Sequence, residues 1–583
     1  MIDRRPVFAC EAPGPVAQSS VVDAACAPVT HRLGRRRLAP SPEIPVPAIA
    51  RSSSLSSPVR VSRLGHAVSV ACITLAALSA APAWATAASG PQVAWQPAAA
   101  DADIEKAFAQ GKAEGKPVLV YWGAKWCPPC NQLKATLFNR QDFIERSKSF
   151  VAVSIDGDLP GAQKLGARFK VRGYPTMILF NTDGAEITRL PGEADAPAVM
   201  NVLQMGLAGG RPVKTVLTEA KAGKPVTANE WRMLAFYSWD TDEAQLVPEA
   251  ERAPLLAQLA GSCPANETET ATRLLLKALV GQAELEPNAK PAIKVDAALR
   301  DRIKKLLADP AATRSQMDAV VNYAPELAKA LAPAAGPDRQ AMVAALDAAL
   351  VRLQGDATLS RADRMSALIG RVDLARLDQP KEALKPKLPE TLVKQVREEA
   401  ARADQEVTEG YERQAVITSA AHLLGEAGLW KDSDALLQAS LPKSHSPYYL
   451  MSQLSGNAKK QGRKAEALSW SEQAFNKSEG PATRLQWGAS YVATLVDLAP
   501  QDEAKIEKTV AQLIREADGQ QGAFYERSAR SMQKVGDKLA AWNAKGQHKA
   551  VVERLRAQLT PVCAKLPAAD AQRSSCDSVL KKA

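Results

Sequence analysis

Between residues 101 and 208, short unbroken apolar runs alternate with stretches in which apolar positions recur at helical spacing. The spacing predicts a helix from Asp101 to Gly115, then a buried strand over 116–123, KPVLVYWG. A helix is expected from Cys127 to Arg146, with Leu133, Leu137 and Phe138 on its inner side. FVAVSI at 150–155 reads as a second buried strand, and 160–169 as another helix. TMILF at 176–180 leads through Asn181-Thr182-Asp183-Gly184 into a strand at 186–189, and the Asp-Gly step signals a hairpin. A helix over 196–207 completes the unit, and Gly209-Gly210-Arg211-Pro212 closes it. Strands alternating with helices call for a partly parallel sheet covered on its faces, with the hairpin as an antiparallel edge.

Beyond residue 212 no strand series appears, and the pattern keeps a helical period. Landmarks are WRMLAFY at 231–237 and ATRLLLKALV at 271–280. Between 285 and 380 weaker helices are expected, interrupted at Pro291, Pro310, Pro325, Pro333 and Pro337. Two helical pairs, around Leu423-Leu424 with Leu436-Leu437 and around Leu454 with Ala467-Leu468, place the turn glycines Gly428 and Gly462 34 residues apart. This resembles the tetratricopeptide repeat, whose period is 34. Ser433 and Ser440 stand in the first copy where the second has Ala467 and Ala474, and residue 496 is not Gly, so the reading is two degenerate repeats. A helix pair needs neighbours to cover its apolar face, so a continuous helical array is expected over 213–583.

The beginning of the chain follows another rule. Residues 64–100 contain no Asp, Glu, Lys or Arg. Within them the apolar core AVSVACITLAALSA at 67–80 follows Arg60 and Arg63 and precedes Ala83-Trp84-Ala85. A basic flank, a short apolar core and a small-residue site describe a signal peptide over 61–85, with cleavage after Ala85. The core is shorter than the roughly 20 residues that span a bilayer, so no membrane span is expected after cleavage. Residues 1–60, rich in Pro, Ser and Arg, read as a disordered preface or an extension of the gene model, and 86–100 as a linker.

The 583 residues carry a net charge of +11, but nine Arg and four acids lie in the first 85, leaving 65 basic and 59 acidic side chains on 86–583. That balance offers no concentrated basic footprint for nucleic acid. With 46% apolar, 23% charged and 5% aromatic residues the chain is globular, neither a coiled-coil rod nor collagen.

Export changes the meaning of the cysteines. Cys10, Cys26 and Cys72 precede the expected cleavage, leaving Cys127, Cys130, Cys263, Cys563 and Cys576. Cys563 and Cys576 flank a turn-like interruption between two helical patterns, and an oxidising compartment favours a structural disulfide between them. Cys263 reads as a leftover thiol. Cys127 and Cys130, in Trp126-Cys127-Pro128-Pro129-Cys130, lie where a strand gives way to a helix. There the free N–H groups and the helix dipole favour a thiolate on Cys127, and Cys130 stands one turn inward, within reach of a mixed disulfide. A zinc site would want a second Cys or His pair nearby, and none is present in the sequence, so neither metal nor cofactor is expected. None of the five His is close in sequence to another His or to the dithiol.

KPVLVYWGAKWCPPC, the strand ending Ser154-Ile155-Asp156, and Val171-Arg172-Gly173-Tyr174-Pro175-Thr176 leading into MILF closely resemble the thioredoxin family, in its secreted or periplasmic disulfide-reductase branch. The resemblance covers 101–208. It implies that Cys127 is the solvent-exposed nucleophile, Cys130 the resolving thiol and Trp126 the neighbouring aromatic. It also implies that Pro175 is a cis-proline facing the dithiol, preceded by Tyr174. Two positions depart from the family: Tyr121 stands where a buried acid is usual, and Ala152 where a Lys commonly accompanies it. The proton acceptor for Cys130 is then missing or replaced, by water or by Asp156, which implies slow resolution.

The expected architecture is an α/β thioredoxin-like domain (101–208) followed by an all-α region. That region comprises helices over 213–410, the two repeats over 411–481 and a C-terminal part over 482–583. The expected function is an exported thiol–disulfide oxidoreductase, periplasmic or extracellular, acting on protein thiols and disulfides with a separate redox partner, its helices recruiting a client or an envelope protein. The alternative is a helical-repeat scaffold with a vestigial thioredoxin-like head.

Overall fold

The computed structural model describes residues 92–284 and 291–583. The leader, its cleavage site and the preface lie outside the described residues. Five strands form one sheet in the order β1-β3-β2-β4-β5: β1 (Gln96–Pro97), β2 (Val118–Gly123), β3 (Val151–Asp156), β4 (Thr176–Phe180) and β5 (Glu186–Leu190). β3 runs parallel to both β1 and β2, while β4 lies antiparallel to β2 and β5. β2 is buried along its whole length because helices cover both faces of a central strand, so it reads as a continuous apolar run. Its residues still alternate: Val118, Val120 and Trp122 join Val151, Val153 and Ile155 in one core cluster, while Leu119 and Tyr121 join Ala152, Met177 and Leu179 in another.

The helices of this domain are α1 (Asp101–Glu114), α2 (Pro128–Leu133), α3 (Gln141–Ser147), α4 (Ala162–Arg168) and α5 (Ala196–Leu207). α1 ends where Gly115 takes a left-handed φ of 64° that favours glycine. The helix expected over 127–146 is divided. α2 runs into a π-helical turn, Lys134–Phe138, and a break at Asn139 and Arg140 precedes α3. The stretch expected as a linker also carries structure, since Gln96 pairs with Val153 and the Trp95 ring packs against Tyr121 and Phe138.

All described elements after residue 212 are helical. The apolar core does not stop at the glycine pair: Val199, Val202 and Leu203 of α5 share a cluster with Val216, Trp231, Tyr237, Leu256 and Leu274. Pro325 does not end its helix. It lies inside Met317–Leu331, with the non-helical backbone at Tyr323 (φ −132°, ψ 23°) absorbing the kink.

The pairs Gly410–Glu426 with Trp430–Ser440 and Pro447–Lys460 with Lys464–Lys477 turn at Gly428 and Gly462, whose φ values are 75° and 72°. The likeness between them reaches individual atoms. Ser433 Oγ donates to the Ala421 carbonyl at 2.7 Å, and Ser455 Oγ donates to the Ala467 carbonyl at 2.8 Å. Ser455 stands 34 residues after Ala421, and Ala467 34 after Ser433, so the serine has exchanged helices while the close crossing it bridges is kept. A third pair follows, Pro481–Leu498 with Glu503–Asp518, without a glycine at 496. Near the end of the chain Cys563 and Cys576 form a disulfide between the helices Lys549–Ala564 and Ala571–Ser578.

The array returns to the thioredoxin-like domain. The 410–426 helix packs on α2, and the Glu526–Trp542 helix packs on α4.

Candidate active site

β2 and β4 pair antiparallel with Trp122 opposite Thr176, so the chain leaving β2 and the chain entering β4 meet at one end of the sheet. The first carries Trp126, Cys127 and Cys130; the second carries Tyr174 and Pro175, joined by a cis peptide bond. Cys127 is the N-cap of α2, with Pro128 and Pro129 as its first residues. These two prolines lack N–H groups, which leaves the Cys130 N–H to donate to Cys127 Sγ at 3.3 Å. The buried Asn131 amide holds the loop by donating to the carbonyls of Lys125 (2.9 Å) and Cys127 (2.7 Å). Cys127 and Cys130 are disulfide-bonded.

Tyr121 lies across the sheet from this loop's apolar cluster. Its ring packs at 4.9 Å from Phe138 and 5.7 Å from Trp95, and its neighbourhood includes Leu133, Leu137 and Ala152. The position where a buried acid would sit is filled by an aromatic stack. Asp156 is exposed and accepts the Asp158 N–H at 3.0 Å, which anchors its own loop.

One expectation is overturned. Cys127 is not solvent-exposed: Trp126, Cys127 and Cys130 are each 0% exposed. The physical reason is the return of the helical array over the loop. The Trp126 indole N–H is shared between Asp158 Oδ2 (3.0 Å) and Thr483 Oγ1 (2.7 Å). Its ring stacks on Tyr449 at 6.0 Å and meets the edge of Trp487 at 4.8 Å. The Arg527 guanidinium lies 5.3 Å from the Trp126 ring centre and 5.0 Å from that of Tyr174, and donates to Asp158 Oδ1 at 2.5 Å. Thr483 also donates to Asp158. The Arg527 N–H donates to Gln163, whose amide in turn donates to the Tyr174 hydroxyl at 2.9 Å. Gln414 donates to the Trp126 carbonyl at 3.2 Å. His445 Nε2 lies 3.0 Å from the Lys125 carbonyl oxygen, and burial lowers the imidazole's proton affinity.

The sequence singles out Trp126, Cys127, Cys130 and Tyr174, which share one core cluster with Tyr448 and Trp487 from the array. Asp158, Gln163, Gln414, Thr483 and Arg527 escape it. The available signal is the clustering of Tyr448, Tyr449 and Trp487 in a chain with only 5% aromatic residues. Cys263 is half-buried and distant in sequence from the dithiol; burial pushes its thiol up to about 11, so it is protonated near neutrality. Among the described residues, no group of three or more His, Cys, Asp or Glu could hold a metal ion. Among them, too, no helix is long and apolar enough to cross a membrane.

Comparison with known proteins places the resemblance in the same segment. A thioredoxin-like domain family matches residues 104–206. Thioredoxin of Mycolicibacterium smegmatis is 34% identical over 92 residues, which cover 16% of this chain and 80% of that one. The thiol:disulfide interchange protein DsbD of Pseudomonas fluorescens is 32% identical over 103 residues, 17% of this chain and 18% of the relative. The chain thus spans under a fifth of the DsbD relatives it matches. Among solved structures, a thioredoxin from Thermus thermophilus matches 19% of this chain and 85% of its own, at 27% identity and a TM-score of 0.17.

Proposed function

The chain belongs to the thioredoxin family through residues 104–206, and from that premise we propose that it is an exported thiol–disulfide oxidoreductase acting on protein disulfides. The observation that carries the reading is the disulfide between Cys127, at the N-cap of a helix that follows a central strand, and Cys130, one turn inside that helix. In the reducing direction the Cys127 thiolate attacks one sulfur of a substrate disulfide, forming a mixed disulfide and releasing the first substrate thiolate. Cys130, deprotonated, then attacks the Cys127 sulfur, closing the intramolecular disulfide and releasing the second thiolate. The substrate gains two electrons and the dithiol loses two; in the oxidising direction the same steps run backward. A separate dithiol or disulfide partner restores the starting state. The location we propose is the periplasm or the extracellular space, supported by the leader pattern and by two cysteine pairs in disulfide linkage.

The scaffold reading has one observation in its favour, the burial of the dithiol beneath the helical array. The two are separated by trapping. Cys130→Ala is expected to accumulate mixed disulfides with client proteins through Cys127, and Cys127→Ala to accumulate none. Absence of any mixed disulfide with Cys130→Ala, also in sub-denaturing urea that loosens the helices over the dithiol, together with no insulin reduction by the intact chain under the same conditions, rejects the oxidoreductase reading and leaves the scaffold.

A further inference from the structure

The geometry points to an intramolecular cover: the helical array closes over the redox face of the thioredoxin-like domain, and the Asp158–Arg527–Thr483–Trp126 cluster is the latch that keeps Cys127 out of reach. This names the regulation of the dithiol and rests on the oxidoreductase reading of it.

The array reaches the loop from several separate elements. Gln414 comes from one helix, His445 from the loop that follows the 430–440 helix, Tyr449 from a second helix, Thr483 and Trp487 from a third, and Arg527 from a fourth. Their targets lie within a few residues of the nucleophile: the Lys125 and Trp126 carbonyls, the Trp126 indole, and the Asp158 carboxylate that holds that indole. A thiolate attacking a disulfide must meet its substrate sulfur in line, which a cysteine with no exposed surface cannot do. Exchange with a protein therefore requires the array to move away from Trp126.

The contact has the character of a latch. Its hydrogen bonds converge on one carboxylate, whose oxygens receive the indole N–H, the threonine hydroxyl and the guanidinium. Arg527 and Asp158 are 8% and 9% exposed, so either charge is costly to leave alone. Space is closed as well: a Cβ added at Gly480, where φ is 87°, would stand 2.6 Å from Asp158 Cβ. Separating the array replaces this group of contacts together, so the cover opens as a unit, by local rather than global unfolding.

The test measures access to the sulfurs, which does not depend on turnover. The oxidised full-length chain is treated with dithiothreitol, which gives up two electrons and closes to its cyclic disulfide as the Cys127–Cys130 bond becomes two thiols. Samples are quenched in acid, alkylated and mapped by mass. Thr483→Val removes a latch hydroxyl, and Gly480→Val drives a side chain into Asp158. Both are expected to speed reduction of Cys127–Cys130 by about tenfold or more. Reduction of Cys563–Cys576, which is buried and joins two helices within the array itself, should be unchanged and shows that the variants remain folded. Rates equal to wild type in both folded variants overturn the cover. Should the variants lose helical circular dichroism, the wild type decides: its Cys127–Cys130 reduction should accelerate in urea below the unfolding transition, and a urea-independent rate overturns the proposal. An opened variant that is reduced readily but never turns over insulin disulfides removes the oxidoreductase reading while keeping the cover; unchanged access removes the cover alone.

Discussion

Arg527 lies 369 residues from Asp158 along the chain, yet its guanidinium donates to that carboxylate at 2.5 Å, with both side chains under a tenth exposed. The pair joins a loop of the thioredoxin-like domain to a helix of the C-terminal array, and both ends also touch the Trp126 environment. Deleting one charge strands the other. Arg527→Met should lower the stability of the full chain in urea titration by about 3–5 kcal/mol, whereas Asp158→Asn combined with Arg527→Met should recover part of that loss. Additive single and double variants would show that the two charges do not depend on each other.

Tyr121 permits a second prediction. The usual buried acid cannot simply be restored, because the site is now shaped around an aromatic ring packed between Trp95 and Phe138. Tyr121→Asp removes that ring and places a carboxylate among apolar side chains, with an expected cost of about 3–5 kcal/mol. Tyr121→Phe keeps the packing and should cost far less. Thermal unfolding of the two variants in parallel checks this, and equal losses would mean that the ring contributes little.

These residues also show how far the sequence could be read. β2, β3 and β4 were legible because each carries its own apolar run, β5 because the Asp-Gly step announces a hairpin, and the dithiol because a helix-opening Cys-Pro-Pro-Cys after a strand has a local chemical meaning. β1, only Gln96–Pro97, has no apolar run and was hidden in the expected linker. The helical pairs were visible through Gly428 and Gly462, both of which take left-handed φ. The π-turn at Lys134–Phe138 was not, since one extra residue per turn leaves the apolar spacing nearly helical. Nor was the burial of Cys127. It depends on Gln414, Thr483 and Arg527, ordinary polar residues hundreds of positions away whose partners only the closed array brings to them. A local pattern reports which face of an element is apolar, not which distant element will cover it.

The C-terminal disulfide closes a short loop, Cys576 standing 13 positions after Cys563 in the chain. Loop-closure entropy for that span gives at most about 3 kcal/mol. The double variant Cys563→Ala/Cys576→Ala should therefore lose up to that amount while keeping the reactivity of Cys127–Cys130. Mass mapping of alkylated, non-reduced protein should recover the 563–576 linkage, and full labelling of both thiols under native conditions would reject it.

The last prediction concerns pH at the docking of the 526–542 helix on the thioredoxin-like side. Glu526, at the start of that helix, has a side chain 14% exposed and accepts a hydrogen bond at 3.1 Å from Arg530, which also pairs with Glu243. Burial pushes the Glu526 carboxyl up to about 8, the nearby Glu243 carboxyl adds to the rise, and Arg530 opposes it. The folded chain therefore holds a proton there that the unfolded chain, with an ordinary value of 4.5, releases earlier. Between those two values the folded state binds more protons, so this group's contribution is fullest below the unfolded value and is lost progressively as pH rises toward 8. Glu526→Gln keeps the neutral, hydrogen-bonding form at every pH. Its melting temperature relative to wild type should accordingly climb between pH 5 and pH 9, by about 2 °C or more. Because Arg527 is the next residue, the same variant should slow dithiothreitol reduction of Cys127–Cys130 at pH 9 relative to wild type and have little effect at pH 5. A melting-temperature difference that stays flat across the range would mean that Glu526 and Glu243 do not share a proton in the folded chain.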